Sequence, residues 1–155
     1  MDPIKREETL SRLSPCGLFC GKCFAFKGGD ISELSAKLSA ALGNFEPYAA
    51  RFVTVLDEPL FADYPAFKAL LDYFAQAKCG GCRKEGKCAL LKTCKVVNCV
   101  RDKQVDFCFQ CPNFPCNDTG FDENLNKRSI ENNRKIQEMG VEAYYEEMNK
   151  KKSRY

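Results

Sequence analysis

Apolar positions recur at helical spacing in two stretches of the chain and lose that rhythm between them. Ile31, Leu34, Leu38 and Leu42 fall three or four residues apart, which puts them on one face of a helix. Asp30 stands as an N-cap with Glu33 in the capping-box position, and Gly43 is a stop signal. A second helix is expected over residues 47–56, with Tyr48, Phe52, Val55 and Leu56 inward. A third starts near Pro65, a good first helical residue, and runs to Lys78 on a stripe of Phe67, Leu70, Leu71 and Phe74. From Asn124 the chain turns polar and helical, and Gly140 interrupts it. Val141, Tyr144, Tyr145 and Met148 then make a last amphipathic stretch before the basic tail Lys150, Lys151, Lys152 and Arg154. The tail lysines read as a solvated helix end, where positive charge is favoured.

The intervening segments behave differently. Residues 14–29 are punctuated by Gly17, Gly21, Gly28 and Gly29 and read as a loop. Residues 79–118 hold many cysteines at short spacings and few apolar repeats, too few to build a conventional core. No strand signal of any strength appears. The expected fold is mainly α: a small helical scaffold with metal-organised cysteine-rich loops and little or no β-sheet. Residues 1–155 read as one compact unit, composed of 14–78 (cysteine loop plus helices), 79–118 (cysteine-rich segment) and 119–155 (C-terminal helices). Phe24, Phe26, Phe67 and Phe74 read as core, and Phe114 as a plug against the last cysteine loop. Asp57, Glu58 and Asp63 read as a solvated turn.

Composition narrows the chemistry. The chain has 155 residues, 45% of them hydrophobic, with eleven cysteines and neither histidine nor tryptophan. Without histidine the commonest general base and any mixed Cys/His zinc site are excluded. Every soft ligand is sulfur. The opening stretch MDPIKREETL is charged and lacks the apolar run of a signal peptide, and no segment is long enough to span a bilayer. A cytoplasmic protein without a membrane partner is expected. In that compartment thiols stay reduced or bind metal, and an odd number of cysteines fits a closed disulfide framework poorly.

The cysteines form three groups: Cys16-x3-Cys20-x2-Cys23, then Cys79-x2-Cys82-x5-Cys88-x5-Cys94-x4-Cys99, then Cys108-x2-Cys111-x4-Cys116. Cys20/Cys23, Cys79/Cys82 and Cys108/Cys111 are Cys-x2-Cys pairs. A tight turn at that spacing lets two sulfurs reach one ion at about 2.3 Å while backbone amides point at the thiolates. Gly80 and Gly81 make such a turn easy. All eleven cysteines are candidate metal ligands. The simplest grouping joins Cys99, Cys108, Cys111 and Cys116; Cys79 and Cys82 join either Cys88 and Cys94 or Cys20 and Cys23. Zinc, two or more ions, suits closed four-thiolate sites. An iron–sulfur cluster is the alternative, and Cys111-Pro112 resembles the Cys-Pro of bacterial ferredoxins, although their full run is absent. The first group also has the spacing by which radical S-adenosylmethionine enzymes hold a cluster. Lys22 occupies the position where those enzymes carry an aromatic, and the chain is short for their barrel.

Charge gathers where the cysteines do. From Lys78 to Lys103 there are eight basic residues against two acidic ones. One reading is a nucleic-acid surface, with Phe107 or Phe109 stacking on bases. The favoured reading is local neutralisation, because a zinc ion with four thiolates is formally about −2. No catalytic constellation is present, and closed four-thiolate sites are seldom catalytic. The expectation is a structural, binding or regulatory module rather than an enzyme; its partner is left open, a protein being one candidate and nucleic acid a less favoured one. A thiol or iron–sulfur redox protein and a nucleic-acid-binding zinc module are the alternatives.

The order Cys16-Gly-Leu-Phe-Cys20-Gly-Lys-Cys23, Cys79-Gly-Gly-Cys82-Arg83 and Cys108-Phe-Gln-Cys111-Pro-Asn-Phe-Pro-Cys116 resembles the cysteine-rich bacterial and archaeal family catalogued as domain of unknown function (DUF) family 3795. The stretch Asn133-Arg-Lys-Ile-Gln-Glu-Met-Gly140-Val-Glu-Ala-Tyr144 is similar to that family's C-terminal helix. The resemblance spans about residues 14–150. Some relatives continue into a further Cys-x2-Cys tail, which the stretch ending Ser153-Arg154-Tyr155 does not have. The resemblance implies zinc binding and supplies no activity.

Overall fold

The computed structural model describes residues 3–155. Eight α-helices appear among them: α1 (Pro3–Arg12), α2 (Asp30–Leu42), α3 (Glu46–Val55), α4 (Tyr64–Ala75), α5 (Cys82–Glu85), α6 (Val96–Asp102), α7 (Glu123–Met139) and α8 (Val141–Lys150). The fold is mainly helical, and the described residues contain no β-sheet. Two isolated bridges occur, Leu13 with Phe19 and Phe26 with Cys79. Among the described residues no helix is long and apolar enough to cross a membrane.

Helices α2, α3 and α4 make a lobe whose inner faces differ from the expected ones. Gly29, not Asp30, is the N-cap of α2; Asp30 begins the helix and makes no capping hydrogen bond. The leucine stripe of α2 points outward, with Leu34 64% and Leu38 45% exposed, while Ser32 and Ser35 are buried. Small side chains let α2 and α4 approach closely. Ser32 Oγ donates to the Ala75 carbonyl at 3.4 Å and Ser39 Oγ to Asp72 Oδ1 at 3.0 Å. In α3 the buried residue is Ala49, and Tyr48, Val55 and Leu56 are exposed. In α4 Tyr64 and Leu71 are buried while Phe67 and Leu70 face out, so Phe67 is not core. A run of tilted and edge-on rings, Phe45, Phe52, Phe61 and Tyr64, fills the space between α3 and α4. Each such pair contributes about 0.5–1.5 kcal/mol beyond its area.

A second core lies between α1, α7 and α8. Leu13, Phe19, Phe107, Ile136, Tyr144 and Tyr145 pack together there. Gly140, with φ 87°, separates α7 from α8 as expected, and Tyr144 is almost fully buried. Helix α1 forms from the charged opening stretch, which carries no strong apolar stripe; its inner residues include the buried Thr9. The cysteine-rich segment has more apolar structure than its spacing suggested. Val96, Val97 and Val100 of α6 are buried, and Val96 and Val100 join Cys16 and Leu18 in a third cluster. The valines fall one and four residues apart, a helical spacing that the interleaved cysteines and lysines disguise.

Candidate metal centre

All eleven cysteines are free thiols. The fold sorts them into two sets. Cys16, Cys20, Cys23, Cys79, Cys82, Cys88 and Cys94 line one cavity of about 200 Å³. Cys99, Cys108, Cys111 and Cys116 line another of about 20 Å³, with Phe114 also in its wall. The second set is the grouping that spacing favoured. For the first set, Cys79 and Cys82 meet both Cys88 and Cys94 and the Cys20/Cys23 pair, so neither expected grouping is chosen to the exclusion of the other. Among the described residues no three cysteine, aspartate or glutamate side chains meet closely enough to clasp a single ion.

Backbone geometry holds these sets in place. Two Cys-x2-Cys pairs share one turn: Cys20–Lys22 and Cys108–Gln110 are each a single 3-10 turn. In the first, the Cys23 amide donates to the Cys20 carbonyl at 2.8 Å and the Phe26 amide to the Cys23 carbonyl at 3.0 Å. In the second, Cys111 donates to Cys108 and Phe114 to Cys111, both at 3.0 Å. Each knuckle therefore ends in a phenylalanine three residues after its second cysteine. The third pair turns through Gly81, whose φ of 91° favours glycine. It is sewn to the first knuckle by Lys27 N–H to Cys79 O at 2.9 Å and Cys79 N–H to Ala25 O at 3.0 Å.

The thiols differ in their electrostatics. Burial pushes Cys20 up to about 12, the neighbouring Cys16 adds to this, and Arg154 opposes it. Burial also raises Cys16, Cys79, Cys82 and Cys94. Cys94 sits just before α6, where the nearby Val96 and Val97 amides oppose that rise and favour its thiolate. In the smaller set Cys108 is pushed up to about 12, again chiefly by burial. Cys111 moves the other way. Lys103 Nζ donates to its sulfur at 3.0 Å and the Asn113 amide at 3.4 Å, and both hold the thiol below its ordinary range. A metal entering either cavity must displace protons from the raised thiols.

Helix α7 positions the cysteine loops with polar side chains. Asn126 Nδ2 donates to the Cys116 carbonyl at 3.4 Å, Ser129 Oγ to the Cys16 carbonyl at 3.0 Å, and Asn133 Nδ2 to the Pro15 carbonyl at 3.4 Å. Asn133 Oδ1 also accepts the Phe109 amide at 3.1 Å. Asn126, Ser129 and Asn133 lie three and four residues apart and are buried, so this is a helix face. Its signal was a polar stripe at helical period, which reads as solvent-facing when only apolar stripes are sought.

The basic residues have local work. Arg83 donates to the Leu13 and Asp106 carbonyls and lies 4.7 Å over the Phe107 ring. Phe107 is 1% exposed and offers no face to a base. Lys150, Lys151 and Lys152 are exposed at the end of α8, whereas Arg154 beyond them lines the larger cavity. Buried Lys22 donates to the Lys151 carbonyl and pairs with Asp30 at 3.3 Å, fastening the tail to the first knuckle.

No curated protein and no solved structure matches the chain. A family model described as "Protein of unknown function (DUF3795)" matches residues 12–120, a span that holds all eleven cysteines. The chain belongs to the DUF3795 family.

Proposed function

We propose that this is a thiolate-held metal protein, with zinc bound by Cys99, Cys108, Cys111 and Cys116, in which metal fixes loops on a helical scaffold and the whole acts as a binding or regulatory module. The observation that carries the reading is four thiols around a cavity of about 20 Å³, room for one small guest. The donor set suits zinc in kind, four sulfurs for a tetrahedral ion, and the four sulfurs draw together when the ion enters. Lys103 on the Cys111 sulfur favours the thiolate that zinc requires. The 3-10 knuckle at Cys108–Gln110 supplies the usual half-site.

A binding role draws support from the lobe of α2, α3 and α4. Leu34, Leu38, Leu60, Phe67, Leu70 and Tyr73 are all exposed there, and an unusual amount of exposed apolar area in one lobe suits a protein partner. The nucleic-acid alternative is less well supported, because Phe107 is buried and Arg83 is engaged with backbone carbonyls. A salt-dependent shift of generic DNA or RNA by the purified chain would restore it.

The test is elemental analysis of protein purified without air. Zinc at one or more per chain, lost in the Cys108→Ser/Cys111→Ser double variant, is the expected result. Zinc-free protein, or a zinc content that the double variant leaves unchanged, would overturn the assignment.

A further inference from the structure

The two cavities differ about tenfold in volume, 200 Å³ against 20 Å³. Four sulfurs at about 2.3 Å from a zinc leave no room beside the ion. The larger cavity exceeds the roughly 150 Å³ void that admits benzene in an engineered apolar core. Its seven thiols also outnumber the four that one zinc accepts.

We propose that the larger cavity holds a polynuclear iron–sulfur cluster anchored by the Cys20/Cys23 and Cys79/Cys82 pairs. In such a cluster inorganic sulfide lies between the irons, so the protein thiolates stand apart across a core instead of converging on one point. The two pairs come from segments 14–29 and 79–82, yet backbone hydrogen bonds between Ala25, Lys27 and Cys79 fix them together independently of any metal. Mutual charge effects reflect the same proximity: Cys20 feels Cys23 and Cys79, and Cys82 feels Cys20. Cys16, Cys88 and Cys94 face the same space and give the guest a second set of thiols. Ala25, Phe26, Leu90, Leu91, Val97 and Phe121 make the rest of the wall largely apolar, which keeps water from the sulfides. Arg154 contributes positive charge against the negative charge of a thiolate-ligated core.

The inference rests on the thiolate–metal reading above but not on zinc at the smaller site. The experiment measures iron, acid-labile sulfide and zinc per chain in protein expressed and purified without air, for the natural sequence and two double variants. Iron and sulfide in equal amounts are expected in the natural chain, with broad absorption toward the blue. The Cys79→Ser/Cys82→Ser variant should lose iron and sulfide about tenfold and keep its zinc; that retained zinc reports that the rest of the chain has folded. The Cys108→Ser/Cys111→Ser variant should do the opposite. Zinc alone at about three per chain would overturn the cluster and point to two ions sharing a bridging thiolate in the larger cavity. Iron that survives Cys79→Ser/Cys82→Ser would overturn the anchoring. Protein with no bound metal of any kind would overturn this inference and the thiolate–metal reading together.

Discussion

In the lobe of α2, α3 and α4, aromatic rings and a close serine face hold three helices together. Around the cysteines, loops hang by their carbonyls from the polar side chains of α7. The lobe carries its stability in its own packing. The cysteine loops have three valines, a few aromatic residues and two thiol-lined cavities, and on the proposed reading metal held by the thiols supplies the rest of their stability. If the thiols hold metal as proposed, one chain contains a part that folds by burial and a part that folds by ligation, joined through α7 and the first knuckle.

The strongest way to break the comparison is to strip the metal. Structural zinc contributes about 10–16 kcal/mol in zinc-finger peptides, so Cys108→Ser/Cys111→Ser is expected to collapse the loop order of residues 103–117 while residues 30–75 keep theirs. Hydrogen exchange followed by peptide mapping checks this; equal loss of protection in both regions would mean the lobe depends on the metal too. Leu71→Ala attacks the other side. A buried leucine cut to alanine costs about 2–5 kcal/mol, and denaturant unfolding should register that loss with zinc content unchanged.

Asn133→Ala probes the join. It leaves the Phe109 amide and the Pro15 carbonyl without their side-chain partner, at about 1–3 kcal/mol. Chelator-driven metal release should also become faster, a change that Leu71→Ala should not produce. The smallest effect belongs to Asp72. Hydrogen bonds from Lys68 and then Ser39 hold its carboxyl below the usual range. A carboxyl lowered by folding stabilises the native state above its unfolded pKa, and that contribution fades as pH falls through the folded value. Asp72→Asn should therefore narrow the gap between the lobe's unfolding midpoint at neutral pH and in mild acid, with little change in either. The exposed setting keeps the effect small.

The sequence made the helical class, the breaks at Gly43 and Gly140, and the four-cysteine set legible, because glycine punctuation and Cys-x2-Cys spacing are local signals. It misdirected the reading of α2 and α4, where Leu34, Leu38 and Leu70 look like core but face out. The helix interface instead uses serines, whose small volume and hydroxyls serve close approach. Nothing local could join Cys20 and Cys23 to Cys88 and Cys94, since their meeting depends on the Ala25–Cys79 backbone pairing across more than fifty residues. The α7 stripe was hidden by its polarity, and α6 by the cysteines and lysines set among its valines.

One hydrogen bond orders events in time. Tyr144 donates its hydroxyl to the Gly17 carbonyl at 3.1 Å, across 127 positions of the chain. Gly17 itself sits against α7 so closely that a Cβ there would lie 2.7 Å from the Asn132 Cβ. At about 5–20 residues per second of synthesis, Cys16, Cys20 and Cys23 leave the ribosome about 6–25 s before the helix that covers them exists. Throughout that interval they are open thiols on an unfinished chain, reachable by any metal or oxidant present. The Tyr144–Gly17 contact that holds the first loop against the C-terminal helices forms only after residue 144 has been made.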